Sequence, residues 1–247
     1  MTDNNNNGDI IAGRNPVIEA LKSGKLIDTI YISGEGGSLN LIRRLAKEKN
    51  IVVKDTQDKK LSSLCNNASH QGVVAVGAYS EYISVEELLE ISRKKGTKPF
   101  IIICDEIEDP HNLGAIIRTA ESAGADGIII PKRHCASISP TVYKTSAGAV
   151  SWLPVAKVSN LASAIDFLKE NNVWIYGTDA SGEDYTKTDF TGACAIVIGS
   201  EGFGMSRLVQ KKCDFLVKLP MFGKITSLNA SVAGGIFMYE VVRQRRA

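Results

Sequence analysis

The sequence predicts an α/β protein built from two blocks of alternating strands and helices. Short apolar runs alternate along the chain with longer segments of helical periodicity, a pattern typical of sheets whose strands are joined by helices. The composition agrees, because 44% hydrophobic and 23% charged residues are ordinary for a globular protein. A chain of 247 residues is long enough for one α/β domain or for two smaller ones.

The first block spans residues 9–82. The sequence predicts a helix over 15–21 and an amphipathic helix over 39–49. Strands are predicted over 29–32, 51–53 and 73–76. This alternation indicates a small α/β domain of two or three layers. Residues 1–8, which include Asn4 to Asn7, are predicted to be a disordered polar tail.

A linker is predicted over residues 83–98. The segment is polar and helical, and it ends at Gly96-Thr97-Lys98-Pro99, where residues that stop helices stand beside charges. The second block, 99–247, then begins at an apolar run.

The second block predicts a mostly parallel sheet with helices on both faces. Its strands are predicted near 100–104, 127–130, 173–177, 194–199 and 215–219. Its helices are predicted near 112–124, 160–171, 204–212 and 227–244. Strands that are separated by helices favour parallel pairing and a sheet covered on both sides.

Polar and glycine-rich segments follow several strands of the second block. In parallel sheets, ligands bind outside the carboxyl ends of the strands. The residues at these positions are Asp105, Thr178, Gly199 and Leu219. Gly199, Gly202 and Gly204 are spaced so that the backbone can approach a ligand closely. A tight turn before a helix would explain one or two of these glycines, but not the adjacent Ser200 and Glu201.

Two common nucleotide sites are disfavoured. No predicted strand leads into a Gly-x-Gly-x-x-Gly motif that opens a helix, and the chain has no Walker loop. The glycine-rich edge of the sheet therefore predicts a ligand site of another kind, and hence an enzyme.

The cysteines and histidines predict neither disulfides nor a metal site. The five cysteines are Cys65, Cys104, Cys135, Cys194 and Cys213. They are odd in number and form no Cys-x-x-Cys pair, which argues against a disulfide framework and against zinc. Cys104 and Cys194 lie in apolar runs, where cysteine acts as a small hydrophobic residue. His70, His111 and His134 lack the spacing of a metal site, so no metal is predicted.

The net charge of +2 does not by itself predict nucleic-acid binding. The charge is unevenly distributed, however, because seven basic residues stand against three acidic ones between Arg43 and Lys60. Lys132-Arg133-His134 forms a second basic cluster. Such clusters either contact phosphates or belong to a solvated surface, and the sequence leaves both interpretations open.

The chain shows no sign of a membrane segment. No apolar run reaches the roughly 18 residues that a membrane helix needs. The N-terminus lacks the basic and then apolar pattern of a signal peptide. We therefore expect a soluble protein in the cytoplasm.

Three motifs of the second block carry a resemblance to a known family. They are Asn112 with Arg118, Gly199-Ser200-Glu201-Gly202, and Pro220-Met221 followed by Ser227-Leu228-Asn229. In order and spacing they resemble the SpoU/TrmH (SPOUT) family of RNA ribose 2'-O-methyltransferases. Upstream, Ala12–Leu21 and His70–Val73 look like the ends of the family's N-terminal substrate-binding domain, whose fold is similar to that of ribosomal protein L30e.

The resemblance implies a fold and a ligand. It implies that 99–247 is the catalytic domain, with its C-terminal segment threaded into a deep trefoil knot, and that the protein is a homodimer. It also implies S-adenosylmethionine as methyl donor and no metal. The residues implied to hold the donor are Thr178, Gly199, Leu219, Ser227 and Leu228.

RNA is the implied partner. By the same resemblance, Arg14, Asn15, His70 and Gln71 are candidate RNA-binding residues. The two-domain form is most similar to bacterial members that methylate a guanosine ribose in 23S ribosomal RNA. Transfer RNA is the alternative substrate. A non-catalytic ribosome-assembly factor is a further alternative, and it is disfavoured because the motif residues of a catalyst are all present.

The chemistry assigns expected roles to four catalytic candidates. Methyl transfer to a ribose requires two positioned reactants and a more nucleophilic 2'-oxygen. Family accounts make Arg118 the base, but a guanidinium stays protonated in proteins. We therefore expect Arg118 to orient the target phosphate and to stabilise developing negative charge. We expect Asn112 and Asn229 to fix the nucleotide and the loops. Glu201 is expected to organise the site or to accept a proton.

Two of these candidates have a purely structural alternative. Asn112 follows Asp109-Pro110 at the start of a predicted helix, where an asparagine often serves as N-cap. Glu201 could instead form a salt bridge within its loop.

Overall fold

The computed structural model describes residues 10–25, 27–49, 51–77 and 82–246. The predicted tail 1–8 thus lies outside the described residues. The chain divides into two compact units. One comprises the residues up to 81 together with 138–152, and the other comprises 82–137 and 153–247.

The described residues form nineteen helices and strands besides two short 3-10 turns. In chain order they are β1 (Ile10–Ala12), α1 (Arg14–Lys22), β2 (Ile27–Ile32), α2 (Ser38–Glu48), β3 (Val52–Asp55), α3 (Asp58–Leu64), β4 (Val73–Gly77), α4 (Val85–Lys95), β5 (Phe100–Cys104), α5 (Pro110–Ser122), β6 (Gly127–Pro131), α6 (Pro140–Thr145), β7 (Val155–Val158), α7 (Leu161–Glu170), β8 (Trp174–Asp184), β9 (Cys194–Ile198), α8 (Arg207–Lys212), β10 (Phe215–Lys218) and α9 (Ala230–Arg246).

The first unit is a small α/β domain around a four-stranded sheet. The strand order is β1-β4-β2-β3. β4 runs antiparallel to both β1 and β2, whereas β2 and β3 are parallel. The predicted small N-terminal α/β domain is confirmed. The sequence patterns did not reveal β1, which has only three residues and no alternation to detect.

The first unit also includes 138–152, a segment that the sequence predicts within the second block. α6 packs against β1. Its Val142 and Tyr143 are buried, so their apolar surface is removed from water in this unit. Farther along the segment, the Trp152 indole Nε1 donates a hydrogen bond to Glu19 Oε2 at 2.8 Å. A boundary drawn along the sequence misses such a contribution because it assumes continuous domains.

The second unit contains a six-stranded sheet in the order β10-β8-β9-β5-β6-β7. Every strand pair in it is parallel. Ile101 and Ile103 of β5 pack in one apolar cluster with α4 and α7. On the opposite face, α9 lies against Ile198 and packs on α5. The predicted parallel sheet with helices on both faces is therefore confirmed, and the trefoil knot stays a prediction.

The segment 83–98 forms part of the second unit, although the sequence predicts a linker there. The Ser84 side chain and the Glu87 backbone and side chain form a capping box that starts α4. Val85, Leu88 and Leu89 of this helix are buried in the cluster beneath the sheet. The polar composition suggested a linker because only one stripe of α4 is apolar.

Two further sequence predictions concern the membrane and the cysteines. Within the described ranges, no helix combines the length and apolar character that a membrane span requires. The five cysteines are free thiols. Cys104 and Cys194 are fully buried in β5 and β9, and burial raises the pKa of the Cys194 thiol to about 11. Both residues act as small core side chains, as the sequence predicts.

A break in one strand pairing shapes the edge of the sheet where ligands are expected. Leu216 of β10 pairs with Gly177 of β8, but the next residue, Val217, pairs with Glu183. Residues 178–182 therefore leave the β8–β10 pairing. Gly182 ends this excursion, and a Cβ atom there would lie 2.5 Å from the Val217 amide nitrogen. The backbones approach so closely that only glycine fits.

We expect Gly182→Ala to lower the free energy of unfolding by about 1–3 kcal/mol, because the added methyl group forces two backbone segments apart. Chemical denaturation followed by circular dichroism measures this change. Gly192→Ala is the matched control, since a Cβ atom there would make only an ordinary contact of 3.7 Å with Trp174. Equal stability of the two variants would contradict the close approach.

Candidate active site

A cavity of about 700 Å³ lies at the carboxyl ends of β9 and β10 and at the excursion of β8 over residues 178–182. Three segments contribute most of its wall: the β8 excursion, the turn after β9, and the long segment between β10 and α9. Its lining includes Thr178, Asp179, Gly199, Ser200, Glu201, Leu219, Met221, Ile225, Ser227, Leu228 and Phe237. The parallel sheet places these chain ends together, as expected for a ligand site at this edge.

The Glu201 carboxylate connects three segments of the chain. Its Oε1 atom accepts hydrogen bonds from Asn112 Nδ2 at 3.0 Å and from the Ala230 amide at 3.1 Å. The Asn229 side-chain amide donates to the same oxygen. Asn229 Nδ2 also donates to Asn112 Oδ1 at 2.9 Å. Three of the four predicted catalytic residues therefore form one polar cluster.

The cluster is fixed by the ends of two helices. Asn229 Oδ1 accepts hydrogen bonds from the Ser231 amide at 3.0 Å and from the Val232 amide at 3.3 Å, so Asn229 caps α9. At the start of α5, the cap is Asp109, whose carboxylate accepts from the His111 amide at 2.8 Å. Asn112 is therefore not the N-cap, and its side chain is free to bond Glu201.

The partners of Glu201 also show whether it forms a salt bridge within its loop, which was the structural alternative to a role in catalysis. Its carboxylate accepts from two asparagine amides and one backbone amide. In the part of the chain that the structure describes, no salt bridge to Glu201 is formed. The carboxylate therefore organises loops through hydrogen bonds to neutral groups.

Arg118 lies on the same helix as Asn112 but outside the cluster. The two are six positions apart, which corresponds to a rise of about 9 Å along α5. The Arg118 side chain is exposed. Among the described residues, nothing forms a hydrogen bond or an ion pair with its guanidinium. Within the described ranges, Arg118 thus forms no hydrogen bond with the other three candidates.

All five residues predicted to hold the methyl donor line the cavity. They are Thr178, Gly199, Leu219, Ser227 and Leu228. Thr178 Oγ1 donates to the Val197 carbonyl at 2.9 Å, which fixes the start of the β8 excursion. At Gly199 a Cβ atom would lie 2.5 Å from the Met205 amide nitrogen. The backbone therefore folds back on itself at Gly199, and no larger residue fits.

Asp105 is a site residue to which the sequence analysis assigned no role. It is buried, and its Oδ2 atom accepts a hydrogen bond from the Ser206 amide at 2.7 Å. Ser206 ends the segment that carries Glu201, so Asp105 positions that segment. The sequence signal that could have identified Asp105 is its position, as an acidic residue directly after the apolar run of β5.

The predicted RNA-binding residues lie in the first unit, where most of them bond one another or their own loop. Arg14 Nε donates to the Gln71 carbonyl at 2.9 Å, and the Arg14 amide donates to Gln71 Oε1 at 3.2 Å. Both ring nitrogens of His70 are engaged, one with Ser62 Oγ and the other with the Gly72 amide. Asn15 is exposed. The geometry gives Arg14, His70 and Gln71 a role in holding this surface.

One exposed group has the residue types of a metal site. Ligand atoms of Glu106, Glu108 and His134 lie within 4.8 Å of one another. Exposed carboxylates commonly approach each other without an ion, and nothing else marks this group as a site.

Comparisons with known proteins agree with this geometry. A model of the SpoU rRNA methylase family matches residues 99–239. A model of the substrate-binding domain of RNA 2'-O ribose methyltransferases matches residues 10–83.

Individual relatives cover nearly the whole chain. YacO of Bacillus subtilis (strain 168), named as a TrmH family tRNA/rRNA methyltransferase, is 48% identical over 240 residues, which are 96% of each chain. The SpoU methyltransferase AviRb of Streptomyces viridochromogenes superposes with a TM-score of 0.83 at 26% identity, covering 97% of this chain and 90% of that one. Its complex with the cofactor AdoMet gives a TM-score of 0.80 at 25% identity, covering 96% of this chain and 90% of that one.

The family model covers more than half of the chain, and the sequence likeness to YacO extends over almost all of it. Residues of the second and third motifs moreover line one cavity, and Asn112 of the first motif bonds Glu201 in its wall. We conclude that this chain belongs to the SpoU/TrmH family of S-adenosylmethionine-dependent RNA methyltransferases.

Proposed function

We propose that this protein transfers a methyl group from S-adenosylmethionine to the 2'-hydroxyl of a guanosine ribose in 23S ribosomal RNA. The convergence of Asn112, Glu201 and Asn229 beside a cavity at the carboxyl edge of the sheet carries the proposal. These side chains come from three segments that a purely structural protein has no reason to join at a cavity.

The cavity fits the methyl donor. Its volume of about 700 Å³ lies within the range of about 300–1,000 Å³ for small-molecule sites. The lining combines apolar side chains, such as Leu219 and Phe237, with the backbone around Gly199. The adenine ring of the donor suits the apolar side chains of the cavity, and its methionine moiety suits the polar backbone groups. When bound, S-adenosylmethionine supplies an electrophilic methyl group on a sulfonium.

The side chains of this protein then position the ribose and stabilise charge. Asn112 and Asn229 hold the loops and present amide groups beside the cavity. The Arg118 guanidinium forks onto a phosphate of the RNA, which lowers the pKa of the nearby 2'-hydroxyl. Because Glu201 Oε1 already accepts three hydrogen bonds, we assign Glu201 an organising role rather than that of the base. The proton of the 2'-hydroxyl then passes to solvent water as the oxygen takes the methyl group.

Transfer RNA is a second candidate substrate. The name of YacO gives its class as tRNA/rRNA methyltransferase, without a choice between the two RNAs. The two substrates require the same chemistry, so the catalytic cluster does not distinguish them. We assign the recognition of RNA to the first unit, because residues 10–83 match the family model of the substrate-binding domain.

We further propose that the protein forms a homodimer and that it acts in the cytoplasm. Val232, Ile236 and Tyr239 form an exposed apolar stripe along α9, at the spacing of one helix face. A second copy of the chain is the proposed partner for this stripe. Five free thiols agree with the reducing conditions of the cytoplasm.

The first test is methyl transfer from labelled S-adenosylmethionine. The substrates are protein-free 23S RNA, bulk tRNA lacking modification, and assembled ribosomal subunits. We expect label in 23S RNA, mapped to a 2'-O-methylguanosine. Label in tRNA alone would support the proposed methyl transfer but contradict 23S RNA as the substrate. Cofactor binding without label in any of the three RNAs would contradict both the methyl transfer and the substrate.

For Arg118 we expect Arg118→Lys to keep a measurable part of the rate, because a lysine retains the positive charge. Arg118→Ala removes the charge and should lower kcat by about 100-fold or more, the scale of losing one charge-stabilising group. Single-turnover methyl transfer at saturating RNA measures both. If the lysine variant is as inactive as the alanine variant while RNA still binds, charge stabilisation alone is not the role.

For Glu201 we expect Glu201→Gln to retain most of the activity, since the glutamine oxygen can still accept from the three donors. Glu201→Ala leaves those donors without their acceptor and should lower both activity and thermal stability. The rate and the melting temperature are measured on both variants. Equal inactivity of the two, with unchanged melting temperatures, would instead assign proton transfer to Glu201.

A further inference from the structure

Two phenylalanines next to the cavity are almost completely exposed. Phe203 and Phe222 each show 95% of their surface to solvent. Single exposed apolar residues are common on proteins and need no explanation. These two, however, adjoin residues that line the cavity, since Gly204 follows Phe203 and Met221 precedes Phe222. Their position is the feature that requires an explanation.

Phe203 stands on a rigid turn. Ser200 and Gly204 exchange backbone hydrogen bonds of 3.0 and 2.9 Å across it, and the Phe203 amide donates to Ser200 Oγ at 3.3 Å. On the same turn, Glu201 points to the asparagine cluster while the Phe203 ring points to solvent. The backbone that carries the ring is therefore already ordered, and only the two side-chain torsions of Phe203 remain to be fixed when a partner binds.

Phe222 belongs to the long segment between β10 and α9. Its exposed apolar neighbours are Met221, Ile225 and Leu228, which also line the cavity. Lys224 is exposed in the same segment, and Lys218 lines the cavity. Aromatic rings beside cationic side chains form the combination that binds single-stranded nucleic acid, in which bases stack on the rings and phosphates contact the cations.

We propose that Phe203 and Phe222 stack on unpaired bases of the RNA at the mouth of the cavity and so present the target ribose to the catalytic cluster. This inference rests on the proposed function and names the form of its substrate: a single-stranded segment with unstacked bases, not a continuous helix. Sequence-specific recognition of RNA generally uses such segments.

The test compares Phe203→Ala and Phe222→Ala with Phe203→Trp and Phe222→Trp. We expect each alanine variant to raise the KM for methyl transfer to the accepting RNA, and the Kd for a single-stranded oligoadenylate, by about 5- to 100-fold. The tryptophan variants should bind as the wild type does, and oligoadenylate should quench the added indole fluorescence. Leu208→Ala is the matched control, because Leu208 is also exposed but belongs to α8.

Three results would overturn the inference. The first is an unchanged RNA affinity in both alanine variants. The second is a changed sedimentation coefficient, which would show that a second copy of the chain covers the rings. The third is a weakened affinity for S-adenosylmethionine in calorimetry, which would make the rings part of the cofactor site. Ring-dependent binding of oligoadenylate without methyl transfer to any RNA would instead contradict the proposed function alone.

Discussion

The hydrogen bonds of the Glu201 carboxylate are the interaction on which the candidate site depends. One oxygen accepts from α5, from the residue that caps α9, and from the first amide of α9. A charged acceptor shared by three donors fixes the relative positions of three segments at once. The site is therefore built as a unit: the loss of this acceptor would leave both asparagines and a helix end without their common partner.

Close approach of backbones is the second constraint, and it gives the cavity its wall. At Gly199 and Gly182 the backbone comes so near to another segment that no side chain fits. The buried Asp105 carboxylate then holds the segment after β9 by accepting from the Ser206 amide. Two of these contacts join backbone to backbone, and the third joins a buried carboxylate to a backbone amide. Rigid loops also place Phe203 outward without any cost to the core.

The linear sequence conceals which segments belong to each of the two units. The first unit holds Arg14, His70 and Gln71 in a network of local hydrogen bonds, and it includes 138–152 from the other half of the chain. The second unit takes in α4, whose apolar stripe completes the cluster beneath its sheet. Both assignments follow from buried apolar surface, since each segment belongs to the unit that removes its apolar residues from water.

The sequence by itself determined the parallel sheet, the carboxyl edge at which the site lies, and the motif residues around it. It did so because strands buried on both faces, such as 100–104, read as continuous apolar runs, and because Asn112, Glu201 and Asn229 stand in recognisable motifs. Only the tertiary structure decided which atoms bond, that Asp105 holds the segment carrying Glu201, that Arg118 stands apart, and where 138–152 and α4 belong. These facts depend on contacts between residues far apart in the chain, and a local pattern carries no record of such contacts.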